Sequence, residues 1–302
     1  MDGKDYLILI GAPKCGTTSL ANWLARLPDT ALSRMKESMY FTDFRQRRWS
    51  GPGANHASKV PVDEASFRAL FDHAPEAGLR IEASTDNMYC PVACERIAAF
   101  AQRDDVGSVN VVAVLRDPLE RIVSEYEHTL KFGWQSGSLM ASLKAEPARI
   151  EKGFHPLFHH IARSRYATQL APYREAFGDA LLILDYHRLG EAQTLVRLGA
   201  FAGRSVDDAA EDLPHANARH VLARPRAQTV LKNQVLRSLG RSAIPRSLRP
   251  RVRRMITGKP RERYNPNAEE ERFVLDALAG EIAACRADPA IPTDNWTCLH
   301  SA

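Results

Sequence analysis

The sequence predicts an α/β fold, a P-loop-like three-layer domain in which helices flank a central parallel sheet. Continuous apolar runs, typical of strands buried on both faces of a parallel sheet, occur at residues 7–10, 110–115 and 180–185. Each run is followed by a segment with apolar residues at helical spacing. This alternation favours parallel strands joined by right-handed crossovers.

Length and composition indicate a single domain over residues 1–302. With 44% hydrophobic and 25% charged residues, the chain can bury a full core. No apolar run approaches the roughly 20 residues of a membrane span, and Asp2 and Asp5 make the N-terminus unlike a signal peptide, so we expect a cytoplasmic protein. Five scattered cysteines, an odd number, predict no disulfide framework.

The first predicted strand leads into a loop bounded by Gly11 and Gly16, and then into a helix predicted over residues 17–27. The backbone N–H groups of such a loop, together with the positive end of the helix dipole, suit a phosphate or another tetrahedral oxyanion. A nucleoside triphosphatase loop ends in Gly-Lys-Ser/Thr, whereas here Thr17 follows Gly16 and Lys14 stands inside the loop. The pattern therefore departs from a Mg-ATP site, and an ordinary strand-to-helix turn remains the alternative.

The next segments predict helices at 62–73 and 91–102 and a short strand at 80–84. Before them, Lys36 and Glu37 precede the aromatic residues Tyr40 and Phe41. Taken alone, the charged pair is typical of a surface ion pair.

Arg116 follows the strand predicted at 110–115, at the sheet edge where ligands gather in α/β folds. Pro118 fits the first turn of the following helix, on which Arg121 and Ser124 lie one turn apart and can face the same anion. In isolation this fragment favours a structural role over a binding role.

Residues 133–158 predict an irregular insertion, with Phe132, Trp134, Phe154 and Phe158 as candidate pocket walls. No carboxylate or cysteine stands at ligand spacing from the three nearby histidines, so no metal site is expected. These histidines are His155, His159 and His160. Further helices are predicted at 161–177, 191–202 and 267–286.

The net charge of +5 conceals a strongly basic segment. Residues 219–263, bounded by Arg219 and Arg263, hold fourteen Lys or Arg and one acid, so this segment carries +13 and the remainder −8. We expect an acidic partner here, either an acidic acceptor or an anionic membrane surface, and no specific nucleic acid. Prolines between apolar residues predict short amphipathic helices in a basic subregion at about 205–263, with a solvated basic surface as the alternative. Peripheral membrane association is a second expectation for localisation.

The first loop and the Arg116 motif together resemble the sulfotransferases that use 3′-phosphoadenosine 5′-phosphosulfate (PAPS) and release 3′-phosphoadenosine 5′-phosphate (PAP). Residues 11–20 match the family's 5′-phosphosulfate loop, and residues 116–126 match its 3′-phosphate motif. The stretches Lys36-Glu37-x-x-Tyr40-Phe41 and 82–89, and the later helix at 166–173, resemble the heparan-sulfate-type and bacterial carbohydrate sulfotransferases most closely. The likeness spans residues 6 to about 190.

This resemblance implies a role for each matching residue. Lys14 would stabilise charge on the leaving phosphate, Glu37 would be the general base, and His128 would assist proton transfer or bind the acceptor. Arg116 and Ser124 would hold the 3′-phosphate, and Lys36, Glu37 and Asp86 the acceptor. The loop residues assigned to the 5′-phosphate are Lys14, Cys15, Gly16, Thr17, Thr18 and Ser19. The family needs no metal.

Two departures concern the acceptor and the nucleotide. Residues 85–87 replace a usual proline, and Ala83 replaces a lysine that some heparan-sulfate enzymes use for substrate. The glycine-rich Lys-Gly motif of cytosolic sulfotransferases is absent, and Arg219 or another basic residue is expected to replace it.

The leading hypothesis is sulfuryl transfer to a hydroxyl, or less readily an amine, of a carbohydrate, glycolipid or glycosylated metabolite. A divergent P-loop kinase and a non-catalytic anion- or lipid-binding protein are the alternatives. Asp185, at the end of a predicted strand, keeps the kinase alternative under consideration. The sequence specifies neither the individual acceptor nor the oligomeric state.

Overall fold

Five parallel strands form the centre of the protein in a computed structural model that describes residues 3–52, 61, 63–206 and 264–299. Their order across the sheet is β2-β3-β1-β4-β5, with helices on both faces, so the predicted fold class is confirmed. The strands are β1 Lys4–Gly11, β2 Thr30–Leu32, β3 Leu79–Ala83, β4 Val106–Leu115 and β5 Leu181–Asp185. The three-residue edge strand β2 was not predicted, because so short a segment carries no readable periodicity.

Strand β1 lies at the centre of the sheet because both of its faces are apolar. Leu7 is level with Ile81 of β3 on one side and with Asn110 of β4 on the other. Residues 7–10 are fully buried. The carboxyl ends of β3, β1 and β4 therefore emerge side by side at one edge of the sheet.

The helices follow the predicted order with shifted ends. They are α1 Thr17–Leu24, α2 Glu64–Arg68, α3 Ala93–Ala101, α4 Pro118–Lys131, α5 Leu139–Lys144, α6 Glu146–Glu151, α7 Tyr166–Phe177, α8 Ala192–Phe201 and α9 Ala268–Ala287. The predicted irregular insertion at 133–158 is wrong, since it contains α5 and α6. Ser138 caps the start of α5 by accepting a hydrogen bond from the N–H of Ala141.

Two helix starts are fixed by acidic or amide side chains. Asp117 accepts hydrogen bonds from the N–H groups of Leu119 and Glu120, and Pro118 occupies the first turn of α4. Asn267 and Glu270 form a capping box at the start of α9. The C-terminal chain then returns to the sheet edge, where Asp117 also accepts a hydrogen bond from the N–H of Cys298.

Several predictions concern cysteines, membranes and the basic subregion. All five cysteines are buried free thiols. Within the described ranges, the helices are either too short or too polar to span a bilayer. The basic subregion predicted at about 205–263 lies outside the described residues beyond residue 206, and this includes Arg219 and Arg263.

Candidate active site

The first loop turns sharply at Gly16, which caps α1 in the left-handed region at φ 79°. A Cβ here would lie 3.0 Å from the Leu189 side chain and 3.2 Å from the Tyr186 ring, so glycine suits both the turn and the packing. Gly16 has no side chain with which to cap the helix. The first turn of α1 therefore presents its backbone N–H groups at the loop, the arrangement that binds oxyanions.

Side chains in this loop are divided between the core and the loop surface. Cys15 is fully buried, and burial raises the pKa of its thiol to about 12, so only its backbone can contact an anion. Thr17 is buried as well, whereas Thr18 and Ser19 are half-buried. The hydroxyls of Thr18 and Ser19 are thus better placed than that of Thr17 to meet a ligand at the surface.

Lys14 brings a cation to the loop in a strained backbone conformation, with φ 71°. Burial lowers the pKa of Lys14 to about 8, and its Nζ lies 3.4 Å from Nδ1 of His128. Burial and the neighbouring Lys14 lower the pKa of His128 to about 3, so His128 is neutral at pH 7. A neutral imidazole can accept a hydrogen bond from the Lys14 ammonium and hold it over the loop.

Arg116 reaches the same loop from the carboxyl end of β4. Its Nη1 lies 3.5 Å from the Lys14 carbonyl oxygen, and its guanidinium carbon lies 4.3 Å from the centre of the Tyr186 ring. The Arg116 Nε donates to Glu120 at 2.7 Å, and Nη2 also pairs with Glu120. Glu120 therefore orients the guanidinium and offsets part of its charge, while half-buried Ser124 follows on α4.

Glu37 lies in the loop after β2, beside the carboxyl end of β3. Its carboxylate accepts a hydrogen bond from the Thr85 N–H at 2.8 Å and pairs with Lys36, with both side chains about 30% exposed. Its own N–H donates to the Ala83 carbonyl at the end of β3. The loop after β3 packs against the loop after β1, since a Cβ on Gly11 would lie 3.2 Å from the Thr85 carbonyl oxygen.

Asp86, which the resemblance assigns to the acceptor, lies in a buried setting. Its side chain is 7% exposed and pairs with Arg163. Burial raises the pKa of Asp86 to about 6, against the opposing effect of Arg163. Asp86 therefore forms a buried ion pair, next in the chain to the Thr85 that holds Glu37.

Arg163 connects this pair to α4. Its Nη1 donates to Glu125 at 2.6 Å, and Glu125 also accepts from Arg121 and lies 3.0 Å from Nδ1 of His160. Although burial alone would raise it, Arg121 and Arg163 hold the pKa of Glu125 well below its usual range. Arg121 is fully buried in this cluster, so the expectation that it faces an anion beside Ser124 is wrong.

A second buried carboxylate supports residues 38 and 39, which directly follow Glu37. Glu82, on β3, accepts hydrogen bonds from Ser38 at 2.7 Å, from Asn87 at 3.2 Å and from Ser84. The Met39 N–H donates to Ser84 at 2.9 Å. Burial raises the pKa of Glu82 to about 7 against the opposing hydroxyl hydrogen bonds.

The three histidines near residue 160 do not converge. His155 accepts a hydrogen bond from the Leu157 N–H, His159 contacts the Tyr89 hydroxyl at 2.9 Å, and His160 belongs to the Glu125 cluster. In the described part of the chain, no group of three or more His, Cys, Asp or Glu side chains is arranged to hold a metal ion.

Sequence reasoning did not identify Arg163, Glu125 or Tyr186 as site residues. Arg163 and Glu125 are 38 positions apart, and no local pattern reports such a pairing. Tyr186 directly follows β5, so its position at the same sheet edge was the one available indication.

Similar folds occur among solved structures. A sulfotransferase from Alicyclobacillus acidocaldarius aligns with 93% of this chain and 94% of its own, at 21% identity and a TM-score of 0.69. The sulfotransferase domain of the Synechococcus PCC 7002 olefin synthase aligns over 92% and 95% of the two chains, at 14% identity and a TM-score of 0.45. A mouse sulfotransferase complexed with PAP aligns over 100% and 89%, at 14% identity and a TM-score of 0.48.

Of these three, the Alicyclobacillus alignment is close enough in geometry to bear on this chain, and it gives the chain a sulfotransferase fold. No protein-family model matches the sequence, and no curated protein matches it.

Proposed function

We propose that this protein is a sulfotransferase that uses PAPS and transfers its sulfuryl group to an acceptor hydroxyl. One observation carries the proposal: an oxyanion-type loop, two cations and a carboxylate meet where β1, β4 and β3 end. Lys14 and Arg116 lie together at the loop, and Glu37 is held by Thr85 on the adjacent side. The sulfotransferase fold and the sequence motifs support the same function.

The residues present fit PAPS on the side of its 5′-phosphate. The N–H groups at the start of α1 face the loop without a capping side chain, and glycine at position 16 leaves the backbone open to close approach. Residues 15–19 would hold the phosphate through these N–H groups, and the hydroxyls of Thr18 and Ser19 would assist. When bound, PAPS supplies the sulfuryl group, and PAP is the product.

Lys14 would supply the positive charge next to the bond that breaks. With a pKa of about 8, the Lys14 amine is protonated in most molecules at pH 7, and an adjacent phosphate would favour the ammonium further. His128, neutral and 3.4 Å away, would orient the ammonium rather than compete for its proton. The charge would act at the phosphate and the bridging oxygen of the leaving group.

Glu37 would accept the proton of the attacking hydroxyl. Its carboxylate is part-exposed, in contrast to buried Asp86 and Glu82, and it is not paired with Arg116 as Glu120 is. Thr85 and Lys36 fix its orientation, which a general base needs in order to meet the acceptor at hydrogen-bond distance. Lys36 would also contact the acceptor, while Asp86 would position the loop through Arg163.

Arg116 and Ser124 would hold the 3′-phosphate. Tyr186 and Glu120 fix the guanidinium plane, and Nη1 is directed toward the first loop. A phosphate bound there would compete with Glu120 for the guanidinium, so we expect Glu120 to moderate affinity. The acceptor would be a carbohydrate, glycolipid or glycosylated metabolite, as the sequence resemblance implies.

We also propose that the basic segment at 219–263 binds an acidic partner, either the acceptor or an anionic membrane surface. Its charge of +13 supports this. Binding to anionic vesicles or to a polyanion should weaken as salt rises, and binding that ignores salt concentration would contradict the proposal.

Calorimetric titration of the full chain with PAP, ATP and adenosine 5′-phosphate tests the enzyme class. We expect submicromolar binding of PAP, at least about 100-fold weaker binding of adenosine 5′-phosphate, and none of ATP. The Arg116→Met variant should lose the preference for the 3′-phosphate. Mg-dependent binding and turnover of ATP with no binding of PAP would instead favour the kinase alternative.

A further inference from the structure

A cavity of about 480 Å³ is lined by described residues that differ from all those assigned to the nucleotide. Its volume is typical of a site for one small molecule. The described residues around it include four aromatic side chains, a proline and a histidine: Phe44, Trp49, Tyr89, Phe154, Pro156 and His159.

The aromatic walls of this cavity are apolar because their polar atoms already have partners. The Trp49 indole N–H donates to the Phe44 carbonyl at 3.0 Å, and the Tyr89 hydroxyl contacts His159 at 2.9 Å. Trp49, Tyr89 and Phe154 are nevertheless only half-buried, so ring surface remains open. Half-exposed rings around one cavity favour a flat, apolar ligand.

Few polar groups remain to bind hydroxyls inside the cavity. The Nε2 atom of His159 is buried without a hydrogen-bond partner among the described residues. Arg47 and Arg48 also line the cavity, but both are exposed, and Arg47 pairs with Asp43 at 2.7 Å. A sugar ring buried here would lose several hydrogen bonds to water with one buried replacement, which disfavours it.

The cavity and the candidate site both use the loop that follows β3. Tyr89 lies four residues after Thr85, which holds the Glu37 carboxylate. The Arg163 guanidinium carbon lies 6.0 Å from the centre of the Tyr89 ring while the same group pairs with Asp86. An acceptor whose hydroxyl met Glu37 would reach this cavity along that loop, on the side of Tyr89.

The opposite wall is joined by backbone contacts. The Ser50 N–H donates to the Gly153 carbonyl at 2.8 Å, and Ser50 forms an isolated bridge with Phe154. A Cβ on Gly51 would lie 2.6 Å from the Phe154 ring. The segment that carries Trp49 is thereby fixed against the segment that carries Phe154, so the cavity is preformed.

We propose that this cavity binds the apolar, ring-bearing part of the acceptor, so that the substrate is a glycoside with an aromatic or similarly flat aglycone rather than a polysaccharide. The inference rests on the proposed function, because it assigns the acceptor side of that same site. The sugar carries the hydroxyl that meets Glu37, and the aglycone packs between Trp49, Tyr89 and Phe154.

Calorimetry on the full chain saturated with PAP tests the proposal with three probes: 2-naphthyl β-D-glucoside, methyl β-D-glucoside and 2-naphthol. We expect the naphthyl glucoside to bind at least about tenfold more tightly than the methyl glucoside, and 2-naphthol to bind measurably. Trp49→Ala and Phe154→Ala should each remove most of this preference. Val196→Ala, an apolar change at a 58% exposed position on α8, is the matched control and should keep it.

Equal binding of the two glucosides, or no measurable binding of either naphthyl compound, overturns the inference. So does a preference that both cavity variants retain. Titration with PAP alone is measured on each variant, so a loss of folding is separated from a loss of the cavity. If PAP fails to bind the parent protein, the proposed function fails. The preference for the naphthyl glucoside is then measured by the same titrations on the protein without PAP.

Discussion

Replacement of Arg163 by methionine should test whether the buried ion cluster supports both sides of the site. The Arg163 side chain is 1% exposed and donates to Glu125, which is 0% exposed, and to Asp86, which is 7% exposed. Glu125 keeps Arg121 and His160, whereas Asp86 loses its cation. Removing one partner of a buried ion pair costs about 3–5 kcal/mol of unfolding free energy.

This cost should depend on pH through Asp86. In the parent protein the pKa of Asp86 is about 6, above its unfolded value. Its contribution to the unfolding free energy therefore falls as pH rises from about 4 to 6 and is constant above pH 6. Without Arg163 its pKa rises further, so between pH 6 and 8 the folded variant still holds a proton that the unfolded chain has released, and its stability keeps falling as pH rises. At about 1.4 kcal/mol per pH unit, the destabilisation grows by up to about 3 kcal/mol over this range.

Urea unfolding of the parent and Arg163→Met proteins at pH 6 and pH 8 measures both quantities. The double variant Arg163→Met/Asp86→Asn should remove most of the extra loss at pH 8. Arg68→Met is the matched control, since Arg68 also pairs with two carboxylates, Glu64 and Asp105, but is 29% exposed; its loss should stay within about 1 kcal/mol. An equal loss at both pH values for Arg163→Met would refute the assignment of Asp86 as its dependent partner.

Three further predictions concern single groups of the site. Lys14→Met should weaken PAP binding at pH 7 by about 10- to 150-fold, as expected for a charge-assisted contact. In the parent protein, PAP affinity should fall as pH rises above about 8, where Lys14 loses its proton; a titration that shows the same fall in the variant would contradict this assignment. Glu37→Gln should lower kcat by about 10² to 10⁴ while PAP affinity is unchanged, and full activity with PAPS would remove Glu37 as the base. The folded-state pKa of Glu82, about 7, lies above its unfolded value, so the parent protein should lose roughly 3 kcal/mol of unfolding free energy as pH rises from 4.5 to 7. Glu82→Gln should remove this contribution from the slope in urea unfolding and leave the part below about pH 6 that Asp86 contributes; an unchanged slope would assign it to another group.

The sequence was most informative where the site depends on chain continuity. A buried strand, a loop and a helix follow one another in the chain, so Lys14 and Arg116 could be assigned to one sheet edge from apolar runs alone. The resemblance added Glu37, whose position depends on β3 lying next to β1. Neither composition nor periodicity reports that neighbour relation.

Helix α4 shows why the adjacent residues were harder to assign. Successive residues of an α-helix are rotated by about 100°, so Ser124 and His128 share one face while Arg121 and Glu125 share the next. His128 contacts Lys14, whereas Arg121 and Glu125 contact the 160–164 turn. The sequence places both faces near the sheet edge but does not say which one packs inward, because both carry polar residues.

The buried cluster explains how a site assembled from separate loops can keep a fixed geometry. Lys14 is held through His128 on α4, and Glu37 is held through Thr85 in the loop after β3. Arg163 bonds to Glu125 on the first of these elements and to Asp86 on the second. The separation of the proposed leaving-group cation from the proposed base is therefore supported by one guanidinium in addition to the packing of the loops after β1 and β3. A substitution at Arg163 should consequently lower the rate of transfer more than it weakens PAP binding. The nucleotide loop keeps its own contacts, whereas the base loses part of the support that fixes its position.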